Sequence, residues 1–328
     1  MMAEEKIELS APVKELLDEV DALYPLGMVH VDFTGDKSGF VRHDQANLKQ
    51  VPGMMVVQVS DLTEPNYTAS HELLHLYYTL KQYPQVLFNL TWGDEDLDDQ
   101  SRMFATGLYD AVMHRLIVAE QRKRGLINDQ IEQEYLMGLK DALPKEDADP
   151  LASADQKMNT LVRVINLFDA LTFYGEHLAA VEKELVANYP YALSVAKEWQ
   201  AKLFNRPMET PWETRRTIVN LFKLVDEQMR SWGLPVLNNQ RYTTVTPVLS
   251  ERQLRLEVKQ VFEIYRSDMQ LKGNQGDAYA GLRRGDGQNS FVIPMPEKNS
   301  PAEFVKLYAE PVQEFLEKRG FPYTVREG

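Results

Sequence analysis

The chain has 328 residues, of which 44% are hydrophobic and 10% aromatic, enough apolar side chains for a packed core and too many for a disordered segment. Its formal net charge of −13 repels phosphate backbones, which argues against nucleic-acid binding through a general basic surface. It contains no cysteine, so disulfides and thiolate zinc sites are excluded, and any zinc must be held by imidazole and carboxylate.

Residues 11–23 read as a helix with Pro12 in its first turn. Residues 28–33 alternate and residues 52–59 form a β-rich apolar run, with a turn over 35–39 between them. Ser60 to Asn66 is turn chemistry, and Thr68 or Asn66 can cap a helix over 68–82 that Tyr83-Pro84 ends. Leu73, Leu74, Leu76, Tyr77, Tyr78 and Leu80 make that helix apolar nearly all round, the pattern of a buried helix. A polar loop with Asp94, Glu95, Asp96, Asp98 and Asp99 leads to a second helix over 101–123. Gly125 stops it, and Arg122, Lys123 and Arg124 lie in its last turn.

Residues 128–235 stay helical, with helices over 158–187, 189–204 and 211–232. The character then changes. Residues 242–248 are extended, 253–266 read as helix, 273–288 are rich in Gly and Asp, 291–296 form a short strand and 302–319 a terminal helix. The expected fold class is α+β, mostly helical. A core over 1–127, with a small sheet and the buried helix, precedes a helical region over 128–235 and a small α+β part over 236–328. No apolar run reaches about 18 residues and no basic start precedes an apolar stretch, so a soluble cytoplasmic protein without a membrane span is expected.

The most informative string is His71-Glu72-Leu73-Leu74-His75. On a helix, His71 and His75 sit one turn apart on one face, where two imidazoles can hold a single Zn²⁺. Glu72 sits beside them and can deprotonate a bound water. Histidines and a carboxylate inside a buried helix need partners, and a metal serves all three. The bland alternative is a helix carrying two surface histidines and no metal.

A catalytic zinc takes three protein ligands and leaves one position open. Asp110 and His114 lie one turn apart on the helix over 101–123, and Gly107 on the same stripe would admit a close neighbour. Asp110 on the metal with His114 as a hydrogen-bond donor is the favoured assignment; His114 on the metal with Asp110 behind it is the other. The competing reading is a plain surface Asp–His pair. Glu120 and the acid cluster are weaker candidates, and His177 is held in reserve. Nothing in the spacing of His30 or His43 marks either as a ligand.

The string Tyr67 to Leu76 resembles the motif helix of zincin-type zinc peptidases. The order helix, small sheet, turn, motif helix, second helix is similar to the compact ImmA/IrrE-type subgroup. The resemblance covers residues 10–125 and is specific at the motif. It implies that His71 and His75 are ligands, that Glu72 is the base and that the fold has a zincin-like core. In that family the third ligand is usually a Glu on the next helix; here no Glu precedes Glu120 there. The family comprises cytoplasmic bacterial proteins that cleave or act on regulatory proteins. The resulting expectation is a zinc-dependent hydrolase, a metallopeptidase acting on a peptide or protein. His114 or Tyr109 would serve as a donor to the oxyanion. The alternative is a catalytically inactive regulatory or binding protein on the same core.

Overall fold

Helix accounts for 54% and strand for 18%, so the protein is α+β and mostly helical. The computed structural model describes residues 7–273, 276–295 and 300–326. The chain divides into two compact units. One comprises Met1–Lys81 with Met113–Gln200, the other Gln82–Val112 with Ala201–Gly328. These units are discontinuous in sequence, unlike the consecutive segments 1–127, 128–235 and 236–328 read above.

The first unit opens with α1 (Ala11–Leu23), whose Val13, Leu16 and Val20 recur at helical spacing and are wholly buried. Three strands follow, β1 (Met28–Asp36), β2 (Ala46–Val51) and β3 (Met54–Asp61). Their order is β1-β3-β2, with β1 parallel and β2 antiparallel to β3. Val29 and Val31 point inward while Met28, His30 and Asp32 face out, the period-two pattern of a half-buried strand. β2 was not expected from sequence: it is an edge strand with polar Asn47, Lys49 and Gln50, and carries little apolar signal.

The motif helix α2 (Pro65–Leu80) starts three residues earlier than expected, because Pro65 suits a first helical turn. Neither expected cap acts: the N-cap is Glu64 and makes no side-chain cap bond. Asn66 instead accepts from the Ser10 backbone N–H at 2.7 Å, and Thr68 is buried. The buried run Tyr67 to His71, with Leu73, Leu74 and Leu76, bears out the reading of a helix closed in nearly all round.

Two short strands of the second unit come next, β4 (Val86–Leu87) and β5 (Leu90–Thr91). Helix α3 (Glu95–Lys123) begins six residues before the expected start at 101. The acids are its first turn rather than a solvated loop: Asp94 accepts from Leu97 N–H, and carboxylates near an N-terminus suit the helix dipole. From Met113 onward α3 belongs to the first unit, which continues with α4 (Asp129–Ala142) and α5 (Ala154–Tyr174). The helix expected over 158–187 is broken. Gly175 takes φ +51°, a left-handed value, so α5 stops there and a 3₁₀ turn (Gly175–Ala180) and α6 (Glu182–Asn188) follow. Helix α7 (Pro190–Leu203) completes this stretch.

In the second unit α8 (Pro211–Ser231) starts with a capping box from Thr210 and Glu213. Short elements follow: α9 (Asn239–Tyr242), β6 (Thr244–Val245), β7 (Val248–Leu249), α10 (Glu251–Leu254) and α11 (Val258–Val261). The expected helix over 253–266 is present only as α10 through Leu254 and as α11; from Phe262 the chain is a strand, β8 (Phe262–Leu271). Phe262, Ile264, Ser267 and Met269 are buried while Glu263, Arg266, Asp268 and Gln270 are exposed. β8 pairs with β9 (Asp277–Arg283), and β10 (Asn289–Pro294) and β5 extend the sheet in the order β10-β9-β8-β5. The Gly- and Asp-rich stretch thus contains a strand, and Pro296 of the expected strand lies outside the described residues. The terminal helix expected over 302–319 is two, α12 (Pro301–Ala309) and α13 (Val312–Lys318). They part at Pro311, which cannot donate to a continuing ladder, and β11 (Thr324–Val325) follows. Phe262, Phe291, Phe315 and Leu316 form the core beneath these helices. Among the described residues no helix is long and apolar enough to cross a membrane.

Candidate metal centre

The site lies within the first unit, built by α2, the C-terminal part of α3, α5 and the loop before β2. Helical spacing puts His71 and His75 on one face of α2, with ring centroids 5.0 Å apart. α3 brings His114 against them, its centroid 4.7 Å from that of His71 and 5.3 Å from that of His75. The loop carrying His43 docks on α4: the Val41 N–H donates to the Glu134 carbonyl at 3.1 Å. A Cβ at Gly138 on α4 would lie 2.2 Å from the Val41 carbonyl oxygen, so only glycine admits this approach. His43 then stacks on His71, with centroids 4.4 Å apart and planes 10° from parallel.

One nitrogen each from His43, His71 and His114 lies within 4.8 Å of the others, close enough to hold a metal ion. The hydrogen bonds say which nitrogens carry protons. Asp169 on α5 accepts from His114 Nδ1 at 2.7 Å and from His43 Nδ1 at 2.9 Å. Gln121 donates its amide to the Tyr67 carbonyl at 3.2 Å and to Ser70 Oγ at 2.8 Å. Its oxygen therefore faces His71 Nδ1, at 3.5 Å. With Nδ1–H set on both rings, His71 Nε2 and His114 Nε2 present two lone pairs to each other at 3.2 Å.

Two facing lone pairs repel unless a cation lies between or beside them. Two nitrogens bound to one tetrahedral Zn²⁺ at about 2.0–2.1 Å stand about 3.3 Å apart, so the observed spacing fits. A proton is the weaker choice. Burial pulls His71 well below the ordinary imidazole value, helped by His43, His114 and His75. Burial lowers His75 likewise, with His114 and His43 next. It also lowers His114, against the upward pull of Asp169.

His43 differs from the other rings. Both of its nitrogens are engaged, Nδ1 by Asp169 and Nε2 by the Tyr67 hydroxyl at 3.0 Å. Neither ring nitrogen of His75 has a hydrogen-bond partner among the described residues. Burial raises Asp169, but the neighbouring His114 and His43 rings, which donate their Nδ1–H to it, prevail and hold it well below the usual carboxylate range. Glu72 is mostly buried next to His71, and that burial pushes its carboxyl up to about 7.

These shifts make a pH prediction for the metal-free protein. The lowered imidazoles contribute stability that is complete above about pH 6.5 and is lost as pH falls toward their folded values, because the unfolded chain takes up protons first. Glu72 acts oppositely, its contribution being lost as pH rises through about 7. Three imidazoles outweigh one carboxyl. The urea midpoint is expected to fall between about pH 7.5 and about pH 5.5, and to fall less in His75→Gln. Equal slopes in the two proteins would contradict this.

The structure does not bring every residue read from sequence into the group. Asp110 is outside it, and so is His75, although its ring centroid stands 5.0 Å from that of His71 and 5.3 Å from that of His114. A Cβ at Gly107 would meet nothing within 4 Å, so no close neighbour explains that glycine. His177 pairs with Glu132 at 2.9 Å, and Glu120 pairs with Arg124 at 2.8 Å. The Tyr109 hydroxyl is engaged by Gln85. Sequence reasoning missed His43, Tyr67, Gln121 and Asp169. Asp169 did leave a signal: it is a lone acid in the apolar run Val164 to Tyr174, where a carboxylate must find donors. No family profile, curated protein or solved structure matches the chain.

Proposed function

We propose that the protein is a zinc-dependent hydrolase, a metallopeptidase, with the ion held by His71, His75 and His114 and with Glu72 as general base. The observation that carries this reading is the 3.2 Å approach of His71 Nε2 to His114 Nε2, with the Nδ1 of each ring facing an oxygen acceptor, Gln121 Oε1 and Asp169. His75 is preferred to His43 as the third ligand because its nitrogens are uncommitted and its ring is tilted 67° and 77° to the other two. The parallel stack of His43 on His71 would put an ion lying in one ring plane outside the other. The small sheet beside the motif helix supports a zincin-like core of the ImmA/IrrE type.

A bound Zn²⁺ supplies Lewis acidity toward water and the scissile carbonyl. Glu72 takes the proton of the attacking water and returns it to the leaving amine. A nearby divalent charge favours its ionised form, countering the effect of burial. Asp169 and Glu72 together balance the charge of one divalent ion. The net charge of −13 steers neutral or basic peptides toward the protein in preference to acidic ones.

The test pairs elemental analysis of protein purified without chelator with cleavage of a mixed peptide substrate. About one zinc per chain and chelator-sensitive cleavage are expected. A chain that takes up no divalent ion even from excess overturns the reading.

A further inference from the structure

Asp169 holds two imidazoles with one carboxylate. It sits among buried Leu167, Phe168, Ala170 and Leu171 on α5, where an ionised group persists only if donors surround it. It has three: His114 Nδ1 at 2.7 Å on one oxygen, and His43 Nδ1 at 2.9 Å and the Tyr135 hydroxyl at 3.4 Å on the other. An ionised carboxylate only accepts, so both rings must carry their proton on Nδ1 and leave Nε2 bare.

The bare nitrogens then have different fates. His43 Nε2 receives the Tyr67 hydroxyl at 3.0 Å. Among the described residues, His114 Nε2 meets only the equally bare His71 Nε2. We propose that Asp169 is a positioning residue that sets both tautomers at once, aiming a bare His114 Nε2 at the ion while the chain Tyr67–His43–Asp169 keeps His43 outside the coordination sphere. This rests on the metal-site reading above.

An amide at this position cannot do the same work. Asparagine offers one acceptor and one donor, so one of the two rings must accept at Nδ1 and carry its proton on Nε2. If that ring is His114, its ligand nitrogen is blocked; if it is His43, His114 still loses the carboxylate charge that raises its basicity as a ligand. Asp169→Asn is therefore expected to weaken Zn²⁺ binding about 10–100-fold, read by competition with a chromophoric chelator. His43→Gln is expected to bind zinc within a few-fold of wild type.

Long-range ¹⁵N–¹H spectra of the metal-free wild type at neutral pH need no variant. They should show Nδ1–H on both His43 and His114. An Nε2–H on His114 overturns the proposal, as does wild-type zinc affinity in Asp169→Asn or loss of binding in His43→Gln. If wild type binds no zinc, the metal reading fails, and the spectra still decide the role of Asp169.

Discussion

Replacing Glu72 by Gln is expected to slow peptide cleavage by about 10²–10⁴-fold while zinc content stays at the wild-type level. The substitution keeps side-chain size and removes the ability to take a proton. It leaves the three rings of the proposed site, His71, His75 and His114, in place. The same change has a sign to check in the metal-free protein. Burial pushes Glu72 up to about 7, so above that pH the folded state carries a buried carboxylate that it would rather protonate. Gln removes that cost, and Glu72→Gln should resist urea better than wild type at about pH 8. A variant that loses cleavage and gains stability fits a residue kept for chemistry. Cleavage at the wild-type rate in Glu72→Gln, with zinc bound, would show that the base lies elsewhere.

Much of this arrangement is local in sequence, and that part was legible. Helix α1 matched its expected bounds because Val13, Leu16 and Val20 keep helical spacing under a Pro12 start. The pairing of His71 with His75 follows from one turn of helix. The rest depends on contacts that spacing does not encode. Asp110 and His114 share a face of α3, so periodicity could not choose between them. His114 is distinguished by what stands opposite it, His71 from α2 and Asp169 from α5. His43 arrives on a loop whose course depends on a glycine in α4, far along the chain. In the second unit, the run through Phe262 and Ile264 reads equally well at period 3.6 or 2, and pairing with β9 decides for strand.

The choice between His114 and Asp110 makes the second large prediction. An apparent zinc binding energy of about 10–16 kcal/mol spread over four ligands puts roughly 3 kcal/mol on each. Removing one imidazole should then weaken binding by about 100-fold or more. His114→Gln is expected to do so, and Asp110→Asn is expected to bind within a few-fold of wild type. Thermal unfolding gives an independent reading. At zinc about 100-fold above its dissociation constant, the wild type should gain about 2.7 kcal/mol, a gain that Asp110→Asn keeps and His114→Gln mostly loses. If His114→Gln is unstable without metal, His71→Gln supplies the same comparison from the facing ring. The reverse pattern, zinc lost in Asp110→Asn and kept in His114→Gln, would move the third ligand one turn back along α3. The 3.2 Å approach of the two nitrogens would then need another cause.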